Sequence, residues 1–252
     1  MDILVSTTND FDGVVIDPQQ LPATTDEFRE RLLYSLDVWR GEGHQVVWLQ
    51  VPIARSALIP AAVEAGLRFH HSGTDYLLLA HPLQPDAYIP PYATHYIGAG
   101  GVVINERHEL LVVWEKAHHQ NGRKYYKLPG GALQPGEHLV DAVIREVFEE
   151  TGIQTRFESL ICFRHWHGYR YGKSDIYFIC RLLPLNAQIA AQPDEIAECL
   201  WMPVQDFLDN EHVGVFNRRI VEAALASRIY LAPQEIEGYS DPVRREIFMP
   251  QH

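Results

Sequence analysis

Residues 131–153 read GALQPGEHLVDAVIREVFEETGI. Gly130-Gly131 opens this stretch, at a point where a turn needs residues free of side-chain clash. Pro135-Gly136 marks a second turn just before an amphipathic segment. From Glu137 to Thr151 the spacing predicts a helix, stopped by Gly152 in the usual C-terminal position. At about 100° per residue, Glu146, Glu149 and Glu150 fall on one side of it. Val140, Ile144, Val147 and Phe148 fall on the other, giving a core-facing stripe opposite a patch of carboxylate.

Three carboxylates within five residues repel one another, and like charges at i, i+3 and i+4 weaken an isolated helix. A cation among them would offset that cost. Hard divalent ions take oxygen ligands and usually arrive with waters and a substrate phosphate. Arg145, four residues before Glu149, is placed to pair with it and fix its rotamer. The plainer alternative is a solvated acidic face.

The remaining spacing decides between the two. Gly131, five residues, Glu137, seven residues, Arg145-Glu146-Val147, one residue, Glu149-Glu150, one residue and Gly152-Ile153 resemble the Nudix box at every defined position. The resemblance implies hydrolysis of a nucleoside diphosphate linked to another group, on a strand-loop-helix-loop unit, with Mg²⁺ or Mn²⁺ as cofactor. It implies that Glu146, Glu149 and Glu150 are the metal ligands and Arg145 their orienting partner. Glu137 would be a supporting ligand, and the Gly131 carbonyl a further one. Within the family a loop carboxylate beyond the box often acts as general base or extra ligand. Glu195 and Glu198 are the candidates, with Asp194 behind them, alongside Glu149 of the box itself.

Composition sets outer limits. The chain has 252 residues, 46% hydrophobic and 21% charged, ordinary for a folded domain or two. A net charge of −12 argues against broad electrostatic binding to nucleic acid or anionic membrane. It does not argue against a phosphate substrate, because a bound metal reverses the local charge. Cys162, Cys180 and Cys199 form no CxxC pair, and the first and second sit in apolar runs, as free buried thiols do. A reducing cytoplasm fits this pattern. No run of 18 apolar residues appears, and Asp2, Asn9, Asp10 and Asp12 interrupt any signal-like start.

Residues 1–92 read as a small α/β domain in the order β-α-β-α-β, with partly parallel pairing. The strands are expected over 11–17, 45–51 and 76–80, and the helices over 24–40 and 55–67. Pro82, Pro85, Pro90 and Pro91 then place a domain boundary. No catalytic constellation is recognisable in this part, which leaves packing, homodimer formation or substrate framing as its default roles. His70-His71 and His118-His119 invite a metal reading, but adjacent residues point to different sides of an element and no third ligand stands nearby.

The second domain is expected over 93–230, with 231–252 as a tail or interface. Strands are expected over 97–105, 109–114, 160–166 and 176–182, and helical segments over 204–208 and 215–228. Gly98, Gly100 and Gly101 precede a strand-like run rather than a helix. They therefore read as room for a close backbone or substrate approach, not as a dinucleotide loop. Between the last two strands, HGYRYGK at 167–173 mixes aromatic, basic and glycine residues. Aromatic faces stack on bases and cationic side chains meet phosphate. Arg164, His165, Tyr169, Arg170, Tyr171 and Lys173 are therefore the candidate substrate-binding residues for a small-molecule nucleotide.

A narrower resemblance rests on 95–115, Lys127-Leu128-Pro129, Phe163-Arg164-His165, Ser174-Asp175 and Trp201-Met202-Pro203. These look like a two-domain branch of the same family, found in plants and animals, that includes the fibroblast growth factor 2 antisense protein. The branch implies a C-terminal α/β/α sandwich preceded by an acetyltransferase-like α/β domain, with ADP-ribose or NADH as substrate. No arginine- or glutamine-led glycine loop for acetyl-CoA is present, so acetyl transfer is not inferred. A regulatory module that only binds ADP-ribose or NAD, or a diadenosine polyphosphate hydrolase, is the alternative.

Overall fold

The computed structural model describes residues 1–116, 124–227, 230–241 and 243–251. His118-His119 lie outside them. The chain divides into two compact units, Met1–Thr94 and His95–His252.

The first unit carries a five-stranded sheet of β1 (Ser6–Thr8), β2 (Val14–Ile16), β3 (Val46–Pro52), β4 (Arg68–Ser72) and β5 (Tyr76–Pro82). Its strand order is β1-β2-β3-β5-β4. Only β2 and β3 pair in parallel; the other neighbours are antiparallel. Helix α1 (Thr25–Gly41) starts where the Thr24 side chain accepts from the Glu27 backbone N–H at 3.3 Å. It buries Phe28, Leu32, Leu36 and Trp39, one helical face, beside Val47, Leu49 and Leu79 of the sheet. The expected helix over 55–67 is instead a 3-10 turn, Ile53–Leu58, followed by the short α2 (Ile59–Glu64), because Arg55 departs from helical geometry. Strand β4 was not expected, since RFHHS lacks an alternating apolar pattern and stays largely exposed. His70 and His71 are occupied by local contacts: their Nδ1 atoms lie 2.7 Å apart, His70 Nε2 reaches Pro90 O at 2.7 Å, and His71 stacks on Tyr92.

The second unit has a six-stranded sheet and a two-stranded one. The first is built from β6 (His95–Val103), β8 (Gly130–Ala132), β9 (Thr155–Trp166), β10 (Ser174–Pro184), β12 (Leu231–Pro233) and β13 (Phe248–Pro250). Their order is β13-β12-β9-β10-β6-β8, with β10 parallel to β6 and the other neighbours antiparallel. The second pairs β7 (Glu109–Glu115) with β11 (Ile196–Pro203). Strand alternation sends Val102, Leu110, Val112 and Ile179 to one core and Val103, Leu111, Cys180 and Leu182 to another. Helices α4 (Val204–Asp209) and α5 (Val215–Ala226) cover the first core, and α3 (Leu139–Thr151) covers the second. The unit is thus an α/β/α sandwich, and the fold class is mixed α/β.

Helix α3 begins two residues later than expected and ends where Gly152 takes φ +74°, its N–H donating to Phe148 O at 2.8 Å. Its buried row is Leu139, Ala142, Val143, Val147 and Glu150. Phe148, expected on the core-facing stripe, is 48% exposed. The face centres on Val143 and Val147, where the absence of a Cβ at Gly101 lets Val147 approach β6. Residues 231–252, expected as a tail or interface, supply the last two strands at one edge of the six-stranded sheet, β12 and β13, and Leu231 and Phe248 pack against the α3 core. From the same segment, Glu246 accepts from the N–H groups of Leu139 at 2.8 Å and Val140 at 3.2 Å. His138 gives α3 no side-chain cap, so this remote carboxylate satisfies its first turn. Among the described residues no helix is long and apolar enough to cross a membrane.

Candidate active site

Four elements meet at the box. Strand β8 brings Gly130 and Gly131, α3 brings Arg145 to Glu150, the turn before α3 brings Glu137, and the end of β7 brings Glu115 close to Lys127. Glu150, 5% exposed, lies on the sheet-facing side of α3, where the Gly130 N–H donates to its Oε2 at 2.9 Å. Lys127 Nζ stands 3.6 Å from its other oxygen and also contacts Glu115. Burial pushes the Glu150 carboxyl up to about 7, against the opposing pull of Lys127 and the Gly130 N–H. Glu146, one turn earlier, is also raised, again by burial first, with Arg145 opposing.

Arg145 ties the rest together. Its Nε and one Nη donate to the two oxygens of Glu137 at 2.6 and 2.8 Å, and its other Nη donates to Glu146 and Glu149, each at 2.9 Å. The hydrogen bonds from Arg145 hold the Glu137 carboxyl below the usual range. Glu137 also accepts from the Gln134 N–H at 2.9 Å, which closes the Pro135-Gly136 turn. The Glu149 side chain is 48% exposed. The three helix carboxylates are therefore not alike: Glu150 is buried, Glu146 half-buried and Glu149 open.

Among the described residues no three His, Cys, Asp or Glu side chains converge closely enough to hold an ion; Arg145 pairs with Glu137, Glu146 and Glu149. The donor chemistry nevertheless fits a hard divalent cation, being entirely oxygen. A Cβ built at Gly131 would fall 2.5 Å from Glu146 Oε2, so glycine keeps open the gap between strand and carboxylate. A buried carboxyl pushed towards neutrality is also the group that an adjacent cation would stabilise as an anion.

Beside the carboxylates lies a cleft of about 860 Å³ whose lining includes Gly130, Gly131, Glu115 and Lys127. Four of the candidate substrate residues line it: Arg164, Tyr169, Arg170 and Tyr171. Arg164 is held by Asp175 at 2.5 Å and faces the rings of Trp166, Tyr177 and Phe216 at 5.2–5.5 Å. His165 and Lys173 do not line it. His165 Nε2 sits 2.9 Å from His95 Nε2, and Lys173 closes the turn through its backbone. Glu195 and Glu198 do not line it either. Glu198 lies within β11 rather than in a loop, and its carboxylate accepts from Lys124 at 2.5 Å and Tyr126 at 2.7 Å. These bonds hold it below its usual range. The residues that sequence reasoning missed are Glu115, Lys127, Tyr177 and Glu246. Each comes from outside the box and carries no local spacing signal.

A family model described as a NUDIX domain matches residues 94–223, and one described as a Nudix hydrolase domain matches residues 4–83. The chain belongs to the Nudix hydrolase family. Nudix hydrolase 8 of Arabidopsis thaliana is 36% identical over 233 residues, covering 90% of this chain and 63% of that protein. Nudix hydrolase 2 of the same plant is 36% identical over 211 residues, covering 83% and 76%. Human nucleoside diphosphate-linked moiety X motif 6 is 36% identical over 202 residues, covering 79% and 63%. The chain thus spans less than two thirds of the first and third of these Nudix proteins. Nudix hydrolases act on small-molecule nucleoside diphosphate derivatives and generally use divalent metal ions.

Proposed function

We propose that this chain hydrolyses the pyrophosphate bond of an ADP-ribose- or NADH-like nucleoside diphosphate, as a cytoplasmic member of the two-domain branch. The observation that carries the reading is the complete box, with Glu146 and Glu150 set against Gly130-Gly131 on the wall of an aromatic and basic cleft. A module that only binds its ligand would have no use for every carboxylate of the hydrolytic pattern.

Glu146, Glu149, Glu150 and the Gly131 carbonyl would hold Mg²⁺ or Mn²⁺, with Glu137 in support. Bound there, the ion would neutralise charge on the diphosphate oxygens and lower the pKa of a water. The chain's own groups do the rest. Arg145 orients Glu137, Glu146 and Glu149. Arg164 and Arg170 meet phosphate, and Tyr169 and Tyr171 offer ring faces to the base. A water oxygen adds to one phosphorus as the bridging P–O bond breaks, and the water's proton passes to a carboxylate. Glu149, the most open of the box, is assigned that proton. ADP-ribose would give AMP and ribose 5-phosphate; NADH would give AMP and reduced nicotinamide mononucleotide. The N-terminal unit is read as an acetyltransferase-like module without acetyl transfer, serving packing, homodimer formation or substrate framing.

The test is phosphate release coupled to alkaline phosphatase, with and without Mg²⁺ or Mn²⁺. The panel comprises ADP-ribose, NADH, NAD, FAD, coenzyme A, diadenosine polyphosphates and nucleoside triphosphates. Metal-dependent cleavage led by ADP-ribose or NADH is expected. Cleavage led by a diadenosine polyphosphate would reassign the substrate, and a silent panel would leave a binding module.

A further inference from the structure

Two glycines of the box-side sheet remain without a role, Gly98 and Gly100, and one side chain explains both. Tyr177 on β10 stands in register with Gly98 on the parallel neighbour β6. A Cβ built at Gly98 would fall 2.7 Å from Tyr177 Cδ2. One built at Gly100 would fall 2.7 Å from the Tyr177 hydroxyl, and one at Gly130, across the sheet on β8, would meet the same hydroxyl at 2.7 Å. Separations under 3 Å are not tolerated by real Cβ atoms. Three glycines on two strands therefore clear one slot, and two of the three make room for the oxygen rather than the ring.

A phenylalanine would fill the body of such a slot without bringing a polar atom into it. A buried hydroxyl normally finds a partner, and Tyr126 in the same unit does so with Glu198. Tyr177 is half-buried, its hydroxyl makes no hydrogen bond with the described residues, and it lines the cleft together with Gly130, Gly131 and Arg164. The hydroxyl thus sits against the same Gly130 whose N–H holds Glu150.

We infer that the Tyr177 hydroxyl is a substrate-facing hydrogen-bond donor that meets an oxygen of the bound diphosphate beside Glu150. This rests on the pyrophosphatase reading above. A phenol donating to an anionic phosphate oxygen makes a charge-assisted bond.

The test compares wild type with Tyr177→Phe, which keeps the ring and deletes the oxygen. It uses kcat/KM on the best substrate of the panel, and calorimetric binding of α,β-methylene-ADP with Mg²⁺, both at a temperature where circular dichroism shows each protein folded. A loss of about 10-fold or more in both readouts, with melting temperature within a few degrees, is expected for a hydrogen bond to a charged group. Gly100→Ala, whose added Cβ has atoms of Tyr177 as its three nearest neighbours, displaces the ring while keeping the hydroxyl and should show a comparable loss. A Tyr177→Phe protein within about 2-fold of wild type in both readouts overturns the inference, because packing alone would then account for the slot. If the wild type cleaves nothing, the function reading fails by itself and the binding arm decides. Weaker binding to Tyr177→Phe keeps the donor, and equal or absent binding removes it.

Discussion

The backbone N–H of Gly130 donates to Glu150 Oε2 at 2.9 Å, so a strand residue and a helix residue 20 positions apart fix one carboxylate of the box. Neighbouring Gly131 has a different duty, which makes the two glycines separable by experiment. At Gly130, φ is +148° and an added Cβ would meet Ala99 O at 2.3 Å and Gly100 Cα at 2.5 Å, both backbone. Backbone cannot yield cheaply. At Gly131 the obstacle is the Glu146 carboxylate, the far end of a flexible side chain. Gly130→Ala is expected to lower the melting temperature strongly, and Gly131→Ala to leave it within a few degrees while weakening Mn²⁺ binding. Thermal melts and metal titration of both variants check this, and similar melting temperatures would refute it.

Glu149→Gln alters the most open carboxylate of the three. The fold should survive unchanged, with turnover falling by about two orders of magnitude or more, the scale of losing one electrostatic element of a hydrolytic site. Steady-state kinetics beside a circular dichroism spectrum would show it. Activity near wild type would take Glu149 out of the mechanism.

Arg145→Lys keeps the charge but cannot reach Glu137, Glu146 and Glu149 with one planar fork. Metal affinity is expected to fall about 10- to 100-fold, as it does when an outer-shell partner of a metal ligand is lost. Electron paramagnetic resonance of free Mn²⁺ during titration reads this directly. An unchanged affinity would mean that the carboxylates orient themselves.

Glu246→Ala removes the acceptor for the Leu139 and Val140 N–H groups. A loss of about 1 kcal/mol is expected, the usual cost of removing an N-terminal cap. Glu246→Gln, which retains a carbonyl acceptor, should recover part of it. Urea unfolding of the three proteins at matched pH gives the numbers, and an alanine variant as stable as wild type would show that water can replace the cap.

The candidate site was legible where its signals were local. The box spacing named Arg145 and its carboxylates, and Gly152 marked the helix end, because turn and cap chemistry act over a few residues. Amphipathicity was read one step out of phase at Phe148. Val143, Val147 and Glu150 recur at i, i+4 and i+7, but a glutamate in an apolar row is not recognisable as buried until its partner Gly130 is seen. Glu115, Lys127 and Tyr177 reach the site through strand pairing, which no spacing in the sequence encodes. Strand β4 escaped for a related reason: an exposed edge strand buries too little for alternation to be written into it.

The remote cap on α3 has a consequence for synthesis. Glu246 lies 107 residues after Leu139. At ribosomal rates that interval takes roughly 5–20 s. For that time the emerging helix carries all of its box carboxylates with the first-turn amides open to water. Its N-terminal cap comes only when the segment joining the last two strands of the chain, β12 and β13, has been made.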